Sequence, residues 1–116
     1  MLLEIEEKQI EPDITAVALV GRLALGRESQ RVETIIDELL QNGRVRVILD
    51  MTGVNYLDSA GIGLLALAAG RLKERGGKLV VVAQAGRVLS LLTMTQITVI
   101  VPVCPTLAAA ADSLKQ

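Results

Sequence analysis

The chain has 116 residues, 51% hydrophobic and 22% charged, with a net charge of −1, which suits one domain with one core and neither a disordered chain nor a polycation built to neutralise phosphates. It carries a single aromatic residue, Tyr56, no His, and one Cys, Cys104. Base stacking, a Ser-His-Asp triad, a Cys-His dyad and zinc sites built on His or several Cys are excluded, so no nucleic-acid partner, metal or other cofactor is expected.

Residues Leu2 to Gln9 and Ile14 to Val20 read as two strands joined by the turn signal Glu11-Pro12-Asp13, an antiparallel pair that Gly21 ends. Between Gly26 and Asn42, Val32, Ile35, Ile36, Leu39 and Leu40 recur at helical spacing, and Asn42-Gly43 closes that helix. Arg44 to Asp50 is a β-branched run suited to a central strand, and Gly53 to Asp58 is expected to turn the chain. Ser59 to Arg75 reads as a helix with Ile62, Leu65, Ala66, Ala69 and Leu72 on one stripe, stopped by Gly76-Gly77.

Lys78 to Ala83 is the next strand, Ala85 to Met94 a short helix, Ile97 to Val101 another strand and Thr106 to Leu114 a last helix. The order ββαβαβαβα predicts one α/β domain over residues 1–116, a mixed and mostly parallel sheet with about four helices. No charge occurs between Val88 and Ala111, but Ser90, Thr93, Thr95, Gln96 and Thr98 fill its first half and Pro102 and Pro105 break its second. Membrane insertion is therefore not expected. A lone Cys and an amino-terminal segment without a basic leader point to the cytoplasm.

Three places invite a chemical reading. Asp50, at the end of a central strand, stands where a phosphoacceptor would, but the residues after the neighbouring strands are Gly21, Arg22 and Leu23, then Pro102 and Val103, with no acidic cluster and no Lys. A structural Asp50 that bonds the loop amides around Thr52 and Gly53 is expected instead. The Gly77-Lys78 pair lacks the spacing and the following Ser or Thr of a phosphate loop.

The informative segment is DMTGVNYLDSAGIGLL, Asp50 to Leu65. Its plain reading is a helix start, with Asp58 or Ser59 accepting from free first-turn amides and small Ala60, Gly61 and Gly63 allowing close packing. Two glycines there cost roughly 1 kcal/mol each relative to Ala, so something close-fitting is expected to meet that turn. Leu64, Leu67 and Ala68 lie off the predicted stripe beside Ser59. If exposed, they would form a small apolar docking patch adjoining Ser59, and Tyr56 has the same two readings.

A strand ending in Asp, a turn, then Asp-Ser-Ala-Gly opening a helix with Gly two positions on resembles the STAS domain of anti-sigma factor antagonists. The match VILDMTGVNYLDSAGIGLLALA is joined by Gly21-x-Leu23, the Gly76-Gly77 stop, the KLVVVA strand and Leu91-x-x-Met94. The resemblance implies a non-enzymatic anti-anti-sigma factor that sequesters an anti-sigma factor with Ser/Thr kinase activity and so releases a sigma factor to regulate transcription. The kinase would phosphorylate Ser59, a phosphoserine phosphatase would restore it, and Asp58, Ala60, Gly61, Ile62, Gly63, Leu64 and Tyr56 would adjoin the site. That family often has Gly-Glu-Leu-Asp where this chain reads Gly21-Arg22-Leu23-Ala24, so both acids are absent. The departure keeps open a second expectation, a STAS scaffold subunit of a stress-signalling or lipid-transport complex. A small nucleotide-binding protein is a weaker third.

Overall fold

The computed structural model describes residues 3–115. In chain order it contains β1 (Glu4–Glu11), β2 (Ile14–Leu23), α1 (Arg27–Gln41), β3 (Arg46–Leu57), α2 (Ser59–Glu74), β4 (Lys78–Val82), α3 (Arg87–Met94), a 3-10 turn (Ile97–Val99), β5 (Val103–Cys104) and α4 (Leu107–Leu114). The strands form one five-stranded sheet in the order β1-β2-β3-β4-β5. β1 runs antiparallel to β2 and every other pairing is parallel. This is the mixed, mostly parallel α/β sheet that the alternation of periods predicts. The predicted start of the first strand, Leu2, lies outside the described residues.

Because each parallel strand is added beside its predecessor, the crossover helices share one face of the sheet. Val17 and Leu19 of β2, Leu49 and Met51 of β3 and Val81 of β4 meet Ile36, Leu65, Leu72 and Leu92 from α1, α2 and α3 there. On the opposite face α4 supplies cover, with Ala110 and Leu114 over Ile14, Ala16, Ile48, Val80 and Val82. Burying an aliphatic side chain of this size contributes about 1.5–3 kcal/mol, which makes the larger cluster the main source of stability. Both long helices stop as their glycines require. Gly43 and Gly76 adopt positive φ, and Arg44 N–H and Gly77 N–H reach back to the carbonyls of Leu39 and Leu72 at 2.8 Å, satisfying free helix-end acceptors.

Three expectations require correction. Gly21 does not end β2, which continues to Leu23. Gly53 to Asp58 does not turn the chain either, because β3 runs on to Leu57. Beside β2 the pairing shifts between Ala18 and Val20 and again between Gly21 and Arg22, so β3 carries two bulges where a turn was expected. Gly53 sits at the first, where an added Cβ would lie 2.9 Å from Val20 Cγ2. The predicted strand Ile97 to Val101 is instead a 3-10 turn, entered through Gln96 at φ 62°. Strand pairing moves to Val103 and Cys104 against Val81 and Val82.

Candidate functional site

The amino-terminal turn of α2 lies beyond the carboxyl ends of β2 and β3 and is tied to both. Asp58 is the N-cap, and its Oδ1 accepts the Gly61 N–H at 3.0 Å. Its other oxygen accepts the Leu25 N–H at 3.0 Å, fastening the loop between β2 and α1 to the start of α2. The Leu25 bond first, and the Gly61 bond next, hold the Asp58 carboxyl below its ordinary range by stabilising the charged form. Of the two capping candidates in the sequence, Asp58 therefore fills the role. The Leu25 bond spans 33 residues and had no local signal.

Ser59 is the first residue of α2 and is exposed. Gly61 is buried, and a Cβ there would lie 2.6 Å from Leu57 Cδ1 and 2.8 Å from the Leu23 carbonyl oxygen, so the helix meets the strand ends with no room for a side chain. Gly63 is exposed and faces open space. Ala60 and Ile62 are half-buried.

The fully buried face of α2 is Gly61, Leu64, Leu65, Ala68 and Leu72; it keeps Leu65 and Leu72 of the expected stripe, while Ile62, Ala66 and Ala69 pack half-buried against the same core. Leu64 and Ala68 are core residues at 6% and 2% exposure and cannot dock a partner, whereas Leu67 is 55% exposed. Gly61 lets the first turn of the helix sink between Leu23 and Leu57.

Tyr56 is exposed, and the Arg22 guanidinium stacks on its ring at 4.1 Å from the centroid. The position that is acidic in the resembling family therefore holds a cation fixed beside β3. Asp50 Oδ1 accepts the Thr52 N–H at 3.1 Å and its hydroxyl at 2.8 Å, a local brace at the first bulge. Gly21 is buried at φ 117° beside the second bulge. Asp50, Thr52, Gly53 and Gly21 thus shape the strand ends, with Thr52 and Gly53 inside β3 rather than in a loop. Among the described residues no group of three or more Cys, Asp or Glu is placed to hold a metal ion. Among those same residues no helix is long and apolar enough to cross a membrane.

The STAS domain model matches residues 7–110. The chain belongs to the STAS domain family. A search of curated proteins found no match. Among solved structures, an anti-sigma factor antagonist from Mycobacterium paratuberculosis superposes with a TM-score of 0.88 at 19% identity, covering 98% of this chain and 95% of that one. The phosphorylated form of the Bacillus cell fate determinant SpoIIAA gives 0.73 at 14% identity, covering 95% and 98%. The murine anion transporter Solute Carrier 26 family member A9 gives 0.71 at 19% identity, with 92% of this chain matched to 18% of that one. At these identities the STAS fold is what is shared, within a freestanding regulator and within a transporter alike.

Proposed function

We propose that this STAS domain is a cytoplasmic anti-sigma factor antagonist, a non-enzymatic binding module switched by phosphorylation of Ser59. The observation that carries the reading is the division of labour at the start of α2. Asp58 caps the helix, so the exposed Ser59 hydroxyl at the next position is left for a kinase to reach without unfolding a strand. A phosphoserine carries about −1.5 to −2 charges, which the helix dipole tolerates at that end. A partner surface pressed against it does not, because each added charge costs on the order of 1–3 kcal/mol at an effective dielectric near 20–40. Two charges weaken binding roughly a hundredfold.

The partner in this reading is an anti-sigma factor with Ser/Thr kinase activity, whose capture releases a sigma factor, and a phosphoserine phosphatase resets the switch. Incubation with that kinase and ATP should add one phosphate, on Ser59 and not on Ser29, Ser90 or Ser113, and Ser59→Ala should abolish it. Phosphate mapped by mass spectrometry to another residue overturns the assignment. Ser59→Asp should bind the anti-sigma factor more weakly than the unmodified protein in a calorimetric titration, and the phosphorylated protein more weakly still. Arg22 and Ala24, standing where the family often has acids, favour as a second reading a scaffold subunit of a larger complex. Stable binding to such a complex with Ser59 unmodified would select it.

A further inference from the structure

A cleft of about 270 Å³ lies at the far end of α2 from Ser59, between the last turns of that helix, the amino end of β4 and the 3-10 turn. Leu79 and Pro102 line it, and Val99 and Ile100 flank it at 82% and 58% exposure. A strained entry keeps those two side chains out of the core, since Gln96 is the one non-glycine residue at positive φ among the described residues. Two charged side chains line the cleft, Lys73 and Lys78, and no acid does. Arg46, Arg71 and Lys115 are paired with Asp13, Asp37 and Glu11, whereas neither lysine of the cleft has a carboxylate partner among the described residues. Beside them Glu74 and Arg75 offset each other, so both lysine charges remain uncompensated. The carbonyls at this helix end are occupied as well, because Arg75 and Gly77 N–H groups bond that of Leu72 and the Gly76 N–H bonds that of Lys73. Lys78 is held at its backbone, where its N–H bonds the Val45 carbonyl at 2.9 Å and the preceding Gly77 fits Val45 too closely for any side chain.

We propose that this cleft binds a free single-chain alkyl anion, its carboxylate or phosphate between the Lys73 and Lys78 ammoniums and its hydrocarbon chain along Leu79, Pro102, Val99 and Ile100. Unpaired cations beside an uncharged apolar wall match a ligand that carries an anion on a hydrocarbon chain. The volume stands at the small end of ligand pockets, which run about 300–1,000 Å³. A stable protein partner would need roughly 1,000 Å² of buried surface, far more than this cleft offers. A bilayer presents a flat surface, whereas one chain can enter a concavity. The site is separate from Ser59, because the 16 residues of α2 set its two ends about 24 Å apart.

The probes are decanoate and decyl phosphate, titrated calorimetrically into the full chain below their micelle-forming concentrations. Decanol, which lacks the anion, and acetate and inorganic phosphate, which lack the chain, are the controls. At least one alkyl anion should bind at a single site, about tenfold or more tightly than decanol and than its own headgroup alone. The double variant Lys73→Gln, Lys78→Gln should weaken that binding about tenfold and leave decanol unchanged, with the loss shrinking at high salt. The double variant Val99→Ser, Ile100→Ser should also weaken it about tenfold by removing apolar contact. All four side chains are exposed, so melting temperatures should change little. Leu25→Ala, at an exposed apolar position bonded to the opposite end of α2, should leave affinity unchanged.

The proposal is overturned if neither alkyl anion shows saturable binding, or if decanol or the bare headgroup binds as tightly. Affinity within about twofold of wild type for either double variant overturns it as well. So does cosedimentation with phosphatidylcholine–phosphatidylglycerol vesicles by a protein that ignores both free amphiphiles, which would make this face a membrane-docking surface. Should the serine double variant not fold, the glutamine double variant and the headgroup series decide. None of these outcomes involves Ser59, so the anti-sigma factor reading stands or falls separately.

Discussion

Gly61 and Gly63 stand two residues apart at the start of α2 in opposite surroundings. A methyl group on Gly61 would strike Leu57 and the Leu23 carbonyl, whereas on Gly63 it would meet nothing within 4 Å. In the sequence the two are equal helix-weakening residues that together suggest a close contact. The contact exists, for Gly61 alone. The inward face of α2 is explained by packing, while the outward face keeps Ser59, Gly63, an exposed Leu67 and Gly70 with no folding rationale. The contrast teaches that only residues on the outward face are free to be read as functional.

Gly61→Ala tests the inward face and should show the largest effect, a loss of roughly 1–3 kcal/mol from overpacking despite the better helix propensity of Ala. Denaturant unfolding checks it, and a gain in stability would break the contrast. Next in size is Asp58→Ala, which removes the cap and the bond to Leu25 and should cost about 1–2 kcal/mol at neutral pH.

That loss should depend on pH with a definite sign. The folded Asp58 carboxyl is held low by the N–H groups of Leu25 and then Gly61. Its contribution is therefore fully present above the ordinary aspartate range and disappears as pH falls through the folded value. Melting curves of wild type and Asp58→Ala should converge in acid, and a constant gap would locate the effect elsewhere.

Gly63→Ala should act in the opposite sense to Gly61→Ala, raising stability by about 0.5–1 kcal/mol because the helix gains propensity in open space. A loss of the same size would show that Gly63 is structural after all. The smallest effect belongs to Ser59→Ala, within about 0.5 kcal/mol of wild type in thermal unfolding, since Asp58 rather than Ser59 caps the helix. A loss above 1 kcal/mol would give Ser59 a share in the cap and blur the separation between folding and switching.

What was legible in the chain was whatever its local chemistry specifies. The periods of α1 and α2, their glycine stops and the order of strands and helices follow from side-chain spacing and from the backbone freedom of Gly43 and Gly76. The Asp58-Ser59-Ala60-Gly61 segment was recognisable because a capping acceptor and small residues must stand at fixed offsets from a helix start. Where the reading failed, long-range contact had overridden local preference. Gly53 read as a turn residue, but pairing with β2 draws β3 onward through two bulges to Leu57. Ile97 to Val101 has the composition of a strand, yet Val99 and Ile100 are exposed and the Val81 N–H goes to the Pro102 carbonyl instead.

By itself, then, the sequence determined the element order, the helix ends and the position of Ser59 at the opening of α2, since each depends on interactions within a few residues. The rotation of α2 that buries Leu64 and leaves Leu67 out, the choice of Asp58 over Ser59 as cap, and the bond that fixes Leu25 were decided only in the tertiary structure. They depend on how closely Gly61 lets the helix approach Leu23 and Leu57, a steric fit between chain segments far apart in sequence that no local periodicity encodes.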